Sequence, residues 1–301
     1  MQLLVGKSLS DNIQVALKSA VEHTLQNQPN ARKPHLAAIH VGDNHASAAY
    51  IRNKIRACEA AGFDSSLIHL DAEISETSLL AEIEKLNQNP NIDGFIVQLP
   101  LPKHIDENKI IFAISPEKDV DGFHPQNLGK LMLGLETFVP ATPLGIMQLL
   151  QHYNIETTGK HCVVIGRSNI VGTPISILLS RNNKIGNCTV TLTHSKTQDL
   201  AQICRQADIL IAAIGKANFV TADMVKPGAV IIDVGINSID APEEKNGYKL
   251  VGDVDFEAVA PLVSAITPVP RGVGAMTVAA LLLNTWKSYT KTFNLEETLK
   301  F

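Results

Sequence analysis

Short apolar runs of strand character alternate with longer helical runs along most of this chain, and that alternation limits the fold more than any other feature. His35–Val41 (HLAAIHV) reads as a strand closed by Gly42 and Asp43. A helical run from Asn44 to Ala61 follows and stops at Gly62, a residue suited to a left-handed helix end. Next come a strand at Ser66–Leu70, a helix from Ser75-x-x-Ser78 to Leu86, and a strand at Ile92–Gln98. Apolar strands separated by helices predict βαβ units and a parallel sheet covered on both faces.

From Ser115 to Pro143 the periodicity fades, with Pro116, Pro125, Pro140, Gly122, Gly129 and Gly134 as punctuation. This predicts a boundary region, partly functional loop and partly linker. A second alternating series begins beyond it. It runs through a strand at His161–Ile165, a helix at Val171–Ser180, a strand at Thr189–Thr193, a helix near Leu200, and strands at Ile209–Ile214 and Val230–Val234. The last helix, from Ala275 to near Tyr289, has no second sheet to serve and is expected to return to the first domain. With 301 residues, and a soft prior of about 150 per domain, roughly two domains are expected. The expected fold is therefore α/β with two α/β domains, one spanning residues 1–140 plus 275–301 and the other 141–274.

Composition narrows the function classes. Hydrophobic residues at 45% and charged residues at 19% exclude a disordered chain. A net charge of −4 without a basic stripe argues against a nucleic-acid partner. Cys58, Cys162, Cys188 and Cys204 form no C-x-x-C pair, so they predict buried thiols in a reducing compartment, with no zinc site or disulfide framework. Lys7 and Asp11 precede any long apolar run, unlike a secretory signal, and Ile209–Ile214 and Val278–Leu283 are too short to span a bilayer. A cytoplasmic protein with no membrane partner is expected.

Two regions carry chemistry. In the second domain, Val163-Val164-Ile165-Gly166-Arg167-Ser168-Asn169-Ile170-Val171-Gly172-Thr173-Pro174 is a buried strand, a glycine-bounded turn and a helix start. Free amides and the positive end of the dipole make such a start an anion site, although an ordinary strand-to-helix turn has the same outline. The next strand ends in His194-Ser195-Lys196-Thr197, with no carboxylate to hold a ribose 2′-hydroxyl. Hydroxyl and cationic groups there, with Arg167 as a planar donor fork, favour a 2′-phosphate and so NADP over NAD. Gly235 and Ile236 follow a later strand, where backbone can meet the nicotinamide end.

In the first domain, Tyr50 and Lys54 lie four apart on one helical run and share a face, as a ring able to stack and an amine able to donate. Most helical lysines are merely solvated. Gln98 ends a strand ahead of Leu99-Pro100, a place for a site residue or for a turn-capping amide. Lys118-Asp119-Val120-Asp121-Gly122 sets two carboxylates in an apolar loop. Neither a His nor a third acid completes a metal set, so no metal is expected, and a carboxylate that bonds an amino-pyrimidine is the better reading. Thr267 to Gly274 (TPVPRGVG) is stiff and then permissive, and its glycines allow close approach of backbone to a ligand.

Taken together, YIRNKIRACEAAGF, DGFIVQLPLP, PEKDVDGFHPQNLGKL, VIGRSNIVGTP, HSKT, KPGAVIIDVGIN, GDVDF and ITPVPRGVGAMT resemble the bifunctional methylenetetrahydrofolate dehydrogenase/methenyltetrahydrofolate cyclohydrolase family. The likeness runs in order from about Leu3 to the closing helix. It implies a Rossmann-like NADP-binding second domain, a folate cleft between the domains and a homodimer. It also implies two reactions, NADP-dependent oxidation of 5,10-methylenetetrahydrofolate and hydrolysis of the methenyl product to 10-formyltetrahydrofolate. These belong to one-carbon metabolism, serving purine and amino-acid biosynthesis.

By the same resemblance Lys54 is the general acid/base of hydrolysis and Tyr50 stacks on the aminobenzoate ring. Gln98 tunes the lysine and Asp121 holds the pterin. Val97, Leu99, Pro270, Gly272 and Gly274 line the substrate, while Gly166, Arg167, Ser168, Ser195 and Ile236 contact NADP. The chain departs from the family pattern at Ala141, Arg271 and Ala275. The competing readings are a dehydrogenase-only relative, which would have no need of Tyr50, Lys54 and Gln98 together, and a non-catalytic NADP sensor, which would need only the second domain.

Overall fold

The computed structural model describes residues 1–244, 247–293, 295 and 299. In chain order the elements are β1 (Gln2–Leu3), α1 (Gly6–Asn27), β2 (His35–Val41), α2 (His45–Ala60), β3 (Asp64–Leu70), α3 (Glu76–Gln88), β4 (Gly94–Val97), α4 (Glu107–Ala113), α5 (Pro125–Leu133) and α6 (Ala141–His152). There follow β5 (His161–Ile165), α7 (Gly172–Ser180), β6 (Thr189–Thr193), α8 (Leu200–Cys204), β7 (Ile209–Ala212), β8 (Val230–Asp233), β9 (Asn237–Asp240), β10 (Tyr248–Val251), α9 (Phe256–Val259), β11 (Ala265–Ile266) and α10 (Val273–Thr292). The chain divides into two compact units, Asp11–Ala141 with Val278–Phe301, and Met1–Ser10 with Thr142–Thr277.

The first of these units holds a parallel three-stranded sheet in the order β3-β2-β4. Six of the seven β2 residues are buried, as a central parallel strand requires. Helix ends follow local chemistry. Asn44 caps α2 by accepting the Ser47 N–H at 3.1 Å, and Ser75 caps α3 by accepting that of Ser78 at 3.1 Å. Ile39, Leu79, Ile83, Phe95 and Ile110 form the core between sheet and helices.

The second unit holds a parallel six-stranded sheet in the order β1-β11-β8-β7-β5-β6. β5 lies between β6 and β7, so the chain leaves β5 toward one edge and later returns to its other side. That reversal is the switch point at which open α/β sheets bind ligands. A β9–β10 hairpin stands apart as an antiparallel pair.

Two expectations change. Residues 1–10 were expected with the first domain, yet Met1–Ser10 group with the larger sheet. The cause is pairing of Gln2 with Ala265 and Leu3 with Ile266, and a Tyr153 hydroxyl that bonds the Val5 N–H at 2.9 Å. Two-residue strands carry no periodicity to read. The stretch expected as loop and linker contains α5, which His124 caps and Gly134 ends at φ 78°. Pro125 occupies its first turn, where the ring costs no hydrogen bond.

The closing helix α10 returns to the first unit as expected. Asn284 Nδ2 donates to the carbonyls of Val120 and Val139 at 2.8 Å each. Ser288 Oγ donates to Asp93 O at 2.6 Å, and the Tyr289 hydroxyl to Arg32 O at 2.7 Å. Asn284 is 3% exposed, so truncating it strands two buried carbonyls. Asn284→Ala is expected to lower the unfolding free energy by about 2–4 kcal/mol, read by urea denaturation. A loss within error would remove Asn284 as the tie between α10 and the segment before Asp121.

Candidate functional site

In the first unit the candidate residues converge at the carboxyl end of β4. Gln98 continues past β4, its N–H donating to Ile39 O at 2.9 Å. Its side-chain Nε2 donates to Leu99 O at 2.7 Å, which leaves Oε1 pointing the other way. Lys54 Nζ, on α2, donates to that Oε1 at 3.2 Å. An ammonium carries only donors, so the amide oxygen is its required partner. Tyr50, one turn earlier on α2, is 43% exposed.

Asp121 is brought to the same place by the segment before it. Lys118 O accepts the Phe95 N–H at 3.0 Å, and Asp119 bridges Phe95 in parallel, so this segment runs beside β4. The two carboxylates of the loop then part company. Asp119 is buried and accepts the amides of Phe123 at 3.2 Å and His124 at 2.7 Å, together with Asn127 Nδ2 at 2.8 Å. Its role is to shape the turn. Burial outweighs those bonds and pushes its carboxyl up to about 6. Asp121 lines a narrow, mostly apolar recess with Asp119, Phe95, Val97, Leu99, Ile110 and Phe123. Burial raises its pKa while the Lys54 charge acts in the opposite sense. Lys54, Gln98 and Asp121 therefore form one cluster, with Val97 and Leu99 flanking Gln98.

In the second unit the candidates sit on loops at the carboxyl edge of the larger sheet. Gly166 follows β5 at φ 111°, and a Cβ there would run into the Ala213 carbonyl after β7. Only glycine lets the two turns meet at the switch point. Ser168 Oγ accepts the N–H of Val171 at 3.1 Å and fixes the start of α7. Arg167 and Ser168 are exposed in this turn, and Ser195 and Lys196 are exposed beyond β6. The latter turn is closed by the His194 N–H donating to Thr197 Oγ1 at 2.9 Å.

Ile236 is 40% exposed and lies against Gly274. Pro270 and Gly272 lie in the approach to α10, around Arg271, which takes the left-handed region at φ 81°. A cradle that excludes a side chain, with hydroxyl and guanidinium groups beside it and no carboxylate in the His194–Thr197 turn after β6, fits a 2′-phosphorylated dinucleotide. A groove of about 330 Å³ opens at the opposite, amino-terminal edge of this sheet, lined in part by Lys160, Asp208 and Lys226. An ion pair of 2.6 Å joins Lys226 to Asp208 there.

Residue types alone missed the buried carboxyls. Asp233 accepts the amide of Gly235 at 3.0 Å, and burial pushes its carboxyl up to about 6. In sequence such aspartates look like solvated turn residues, and only their place at the end of an apolar strand hints otherwise. No group of three or more His, Cys, Asp and Glu among the described residues is arranged to hold a metal ion. No described helix is long and apolar enough to cross a membrane.

Known proteins resemble this chain over nearly its whole length. Residues 4–121 match the model for the tetrahydrofolate dehydrogenase/cyclohydrolase catalytic domain, and residues 140–293 that for its NAD(P)-binding domain. The chain is 57% identical over 285 residues to the bifunctional protein FolD of Cytophaga hutchinsonii, covering 95% of this chain and 98% of that one. Among solved structures, the bifunctional enzyme FolD of Campylobacter jejuni is 47% identical with a TM-score of 0.90, covering 97% and 99% of the two chains. The Trypanosoma brucei dehydrogenase-cyclohydrolase, solved with NADP and an inhibitor, is 36% identical with a TM-score of 0.91, covering 97% and 98%.

The raised carboxyl of Asp119 has a signed consequence. Its folded pKa of about 6 exceeds the ordinary 3.8, so the folded state binds more protons between those values and loses stability as pH rises through them. Asn at this position does not titrate. The stability of wild type minus that of Asp119→Asn is expected to fall from pH 4.5 to pH 7 in denaturant titrations. A difference that rises over this range would contradict the raised pKa.

Proposed function

This chain belongs to the tetrahydrofolate dehydrogenase/cyclohydrolase family, and from that premise we propose that it oxidises 5,10-methylenetetrahydrofolate with NADP⁺ and hydrolyses the methenyl product to 10-formyltetrahydrofolate. The observation that carries the proposal is the Lys54–Gln98 hydrogen bond of 3.2 Å with Asp121 in the field of the same ammonium. A dehydrogenase alone has no use for that arrangement.

Bound NADP⁺ supplies the hydride acceptor. Gly166 and Ser168 would receive its phosphates and ribose at the start of α7, Arg167 and Ser195 its 2′-phosphate, and Ile236 its nicotinamide end. Hydride leaves the carbon bridging N5 and N10, and the two nitrogens share the resulting positive charge. That step calls on no acid or base, so the protein contributes mainly orientation. Tyr50 stacks on the aminobenzoate ring. Asp121 accepts hydrogen bonds from the amino-pyrimidine edge of the pterin, and Val97 and Leu99 flank it.

Hydrolysis does require proton transfer. Water adds to the methenyl carbon and gives up a proton. The bond from that carbon to N5 then breaks as N5 takes a proton, and the added hydroxyl releases its remaining proton to solvent as its oxygen becomes the carbonyl, which leaves the formyl group on N10. Lys54 as amine accepts the first proton and as ammonium donates the second, and Gln98 Oε1 holds Nζ in place between the two steps. The reading extends to a cytoplasmic homodimer in one-carbon metabolism, serving purine and amino-acid biosynthesis. Four buried free cysteines suit a reducing compartment.

Lys54→Met is expected to slow methenyl hydrolysis by about 100-fold or more, with the NADP⁺ dissociation constant unchanged. Unaltered decay of the methenyl absorbance would take Lys54 out of the mechanism. Arg167→Ala is expected to raise the KM for NADP⁺ about tenfold or more, with little change for NAD⁺. Equal changes would show that Arg167 does not read the 2′-phosphate.

A further inference from the structure

Three consecutive backbone amides after β7 converge on one side chain. Asp253 Oδ2 accepts the N–H groups of Ile214 at 2.8 Å and Gly215 at 3.0 Å, and its Oδ1 accepts that of Lys216 at 2.8 Å. With Gly215 at φ 67°, the turn has the concave form in which successive amides bind an anion. Here a carboxylate of the chain itself fills the concavity. Asp253 is 0% exposed, so these bonds are buried.

The same carboxylate reaches a second loop. Asn237 Nδ2, at the end of the Gly235–Ile236 turn, donates to Asp253 Oδ1 at 3.0 Å. The turn passes so close that a Cβ at Gly235 would overlap the Asp253 carboxylate. Asp253 is fixed in its own right, because its N–H donates to Asp233 Oδ1 at 2.9 Å and the Val254 N–H to Asp233 Oδ2 at 3.0 Å. Main-chain bonds from Asn218 to Gly252 and from Val220 to Asp253 follow the same seam.

We propose that Asp253 is a positioning residue for the dinucleotide, drawing the 214–216 loop and the Gly235–Ile236 turn onto one carboxylate so that the cofactor meets backbone already in place. The inference rests on the reading above that NADP binds at this edge of the sheet. Asp253 acts through backbone amides and takes no part in hydride or proton transfer. Because its contacts lie in the second unit, loosening it weakens cofactor binding and spares the Lys54 cluster.

The test compares wild type, Asp253→Asn and Asn237→Ala. Asparagine keeps the size of the side chain but turns an NH₂ toward amide donors, whereas Asn237→Ala removes only the link between the loops. The expected result is an NADP⁺ dissociation constant raised about tenfold or more in Asp253→Asn, and by less in Asn237→Ala. Hydrolysis of supplied methenyltetrahydrofolate, which consumes no NADP⁺, is expected to keep its rate in both. In the protein without cofactor, the amides of residues 214–216 are expected to exchange faster with deuterium in Asp253→Asn.

Wild-type affinity for NADP⁺ in both variants overturns the proposal, as does an equal loss of binding and hydrolysis, which would mark general damage. If Asp253→Asn does not fold, Asn237→Ala decides by the same two readouts. Failure of the wild type itself to bind NADP⁺ would defeat the functional reading instead, and deuterium exchange in the free protein would still decide whether Asp253 holds the loop.

Discussion

A parallel strand buried on both faces has nowhere to offer chemistry except at its ends. β2, β4, β5 and β7 are nearly all apolar and buried, so each candidate strand-end residue stands on the turn that follows a strand. Gln98 follows β4, Gly166 follows β5, Ser195 follows β6 and Ile236 follows β8. This constraint concentrates function, but it also places it on loops, which lack the ladder of hydrogen bonds that stiffens a sheet.

Buried carboxylates make up for that lack. Asp119 gathers the Phe123 and His124 amides, Asp233 those of Gly235, Asp253 and Val254, and Asp253 those of Ile214, Gly215 and Lys216. An ionised carboxylate accepts several bonds at once, so a single side chain can set the path of a whole turn. The cost appears in the raised pKa values of Asp119 and Asp233, where desolvation outweighs the donors. Asp121 differs because its loop neighbour has taken the structural task. Asp121 lines the same recess as Asp119 but also feels the charge of Lys54, which acts against the effect of its burial.

Much of this was legible in the residues. Asn44 and Ser75 announce the helices they cap, and the apolar strands of both sheets stand out because parallel strands need no alternation. Tyr50 and Lys54 fall on one helix face by spacing alone. The Lys54–Gln98 bond was legible only through the family resemblance and not from periodicity or spacing, because 44 residues separate its partners and the pairing of β4 with β2 brings them together. β1 and β11 were hidden for the same reason, each being two residues long and defined by a distant partner. α5 was hidden by its own terminators, since Pro125 and Gly134 begin and end a helix yet read as breakers when counted together. Aspartates that bind backbone amides look like any turn aspartate until the turn is seen.

The central claim is that one chain both oxidises a bridging methylene carbon and hydrolyses the product, with the Lys54 cluster responsible for the second step. Product analysis after incubating the purified protein with 5,10-methylenetetrahydrofolate and NADP⁺ tests it most directly. The account predicts NADPH and 10-formyltetrahydrofolate in equal amounts. No NADPH at saturating cofactor, or NADPH accompanied only by methenyltetrahydrofolate decaying at its uncatalysed rate, would contradict it.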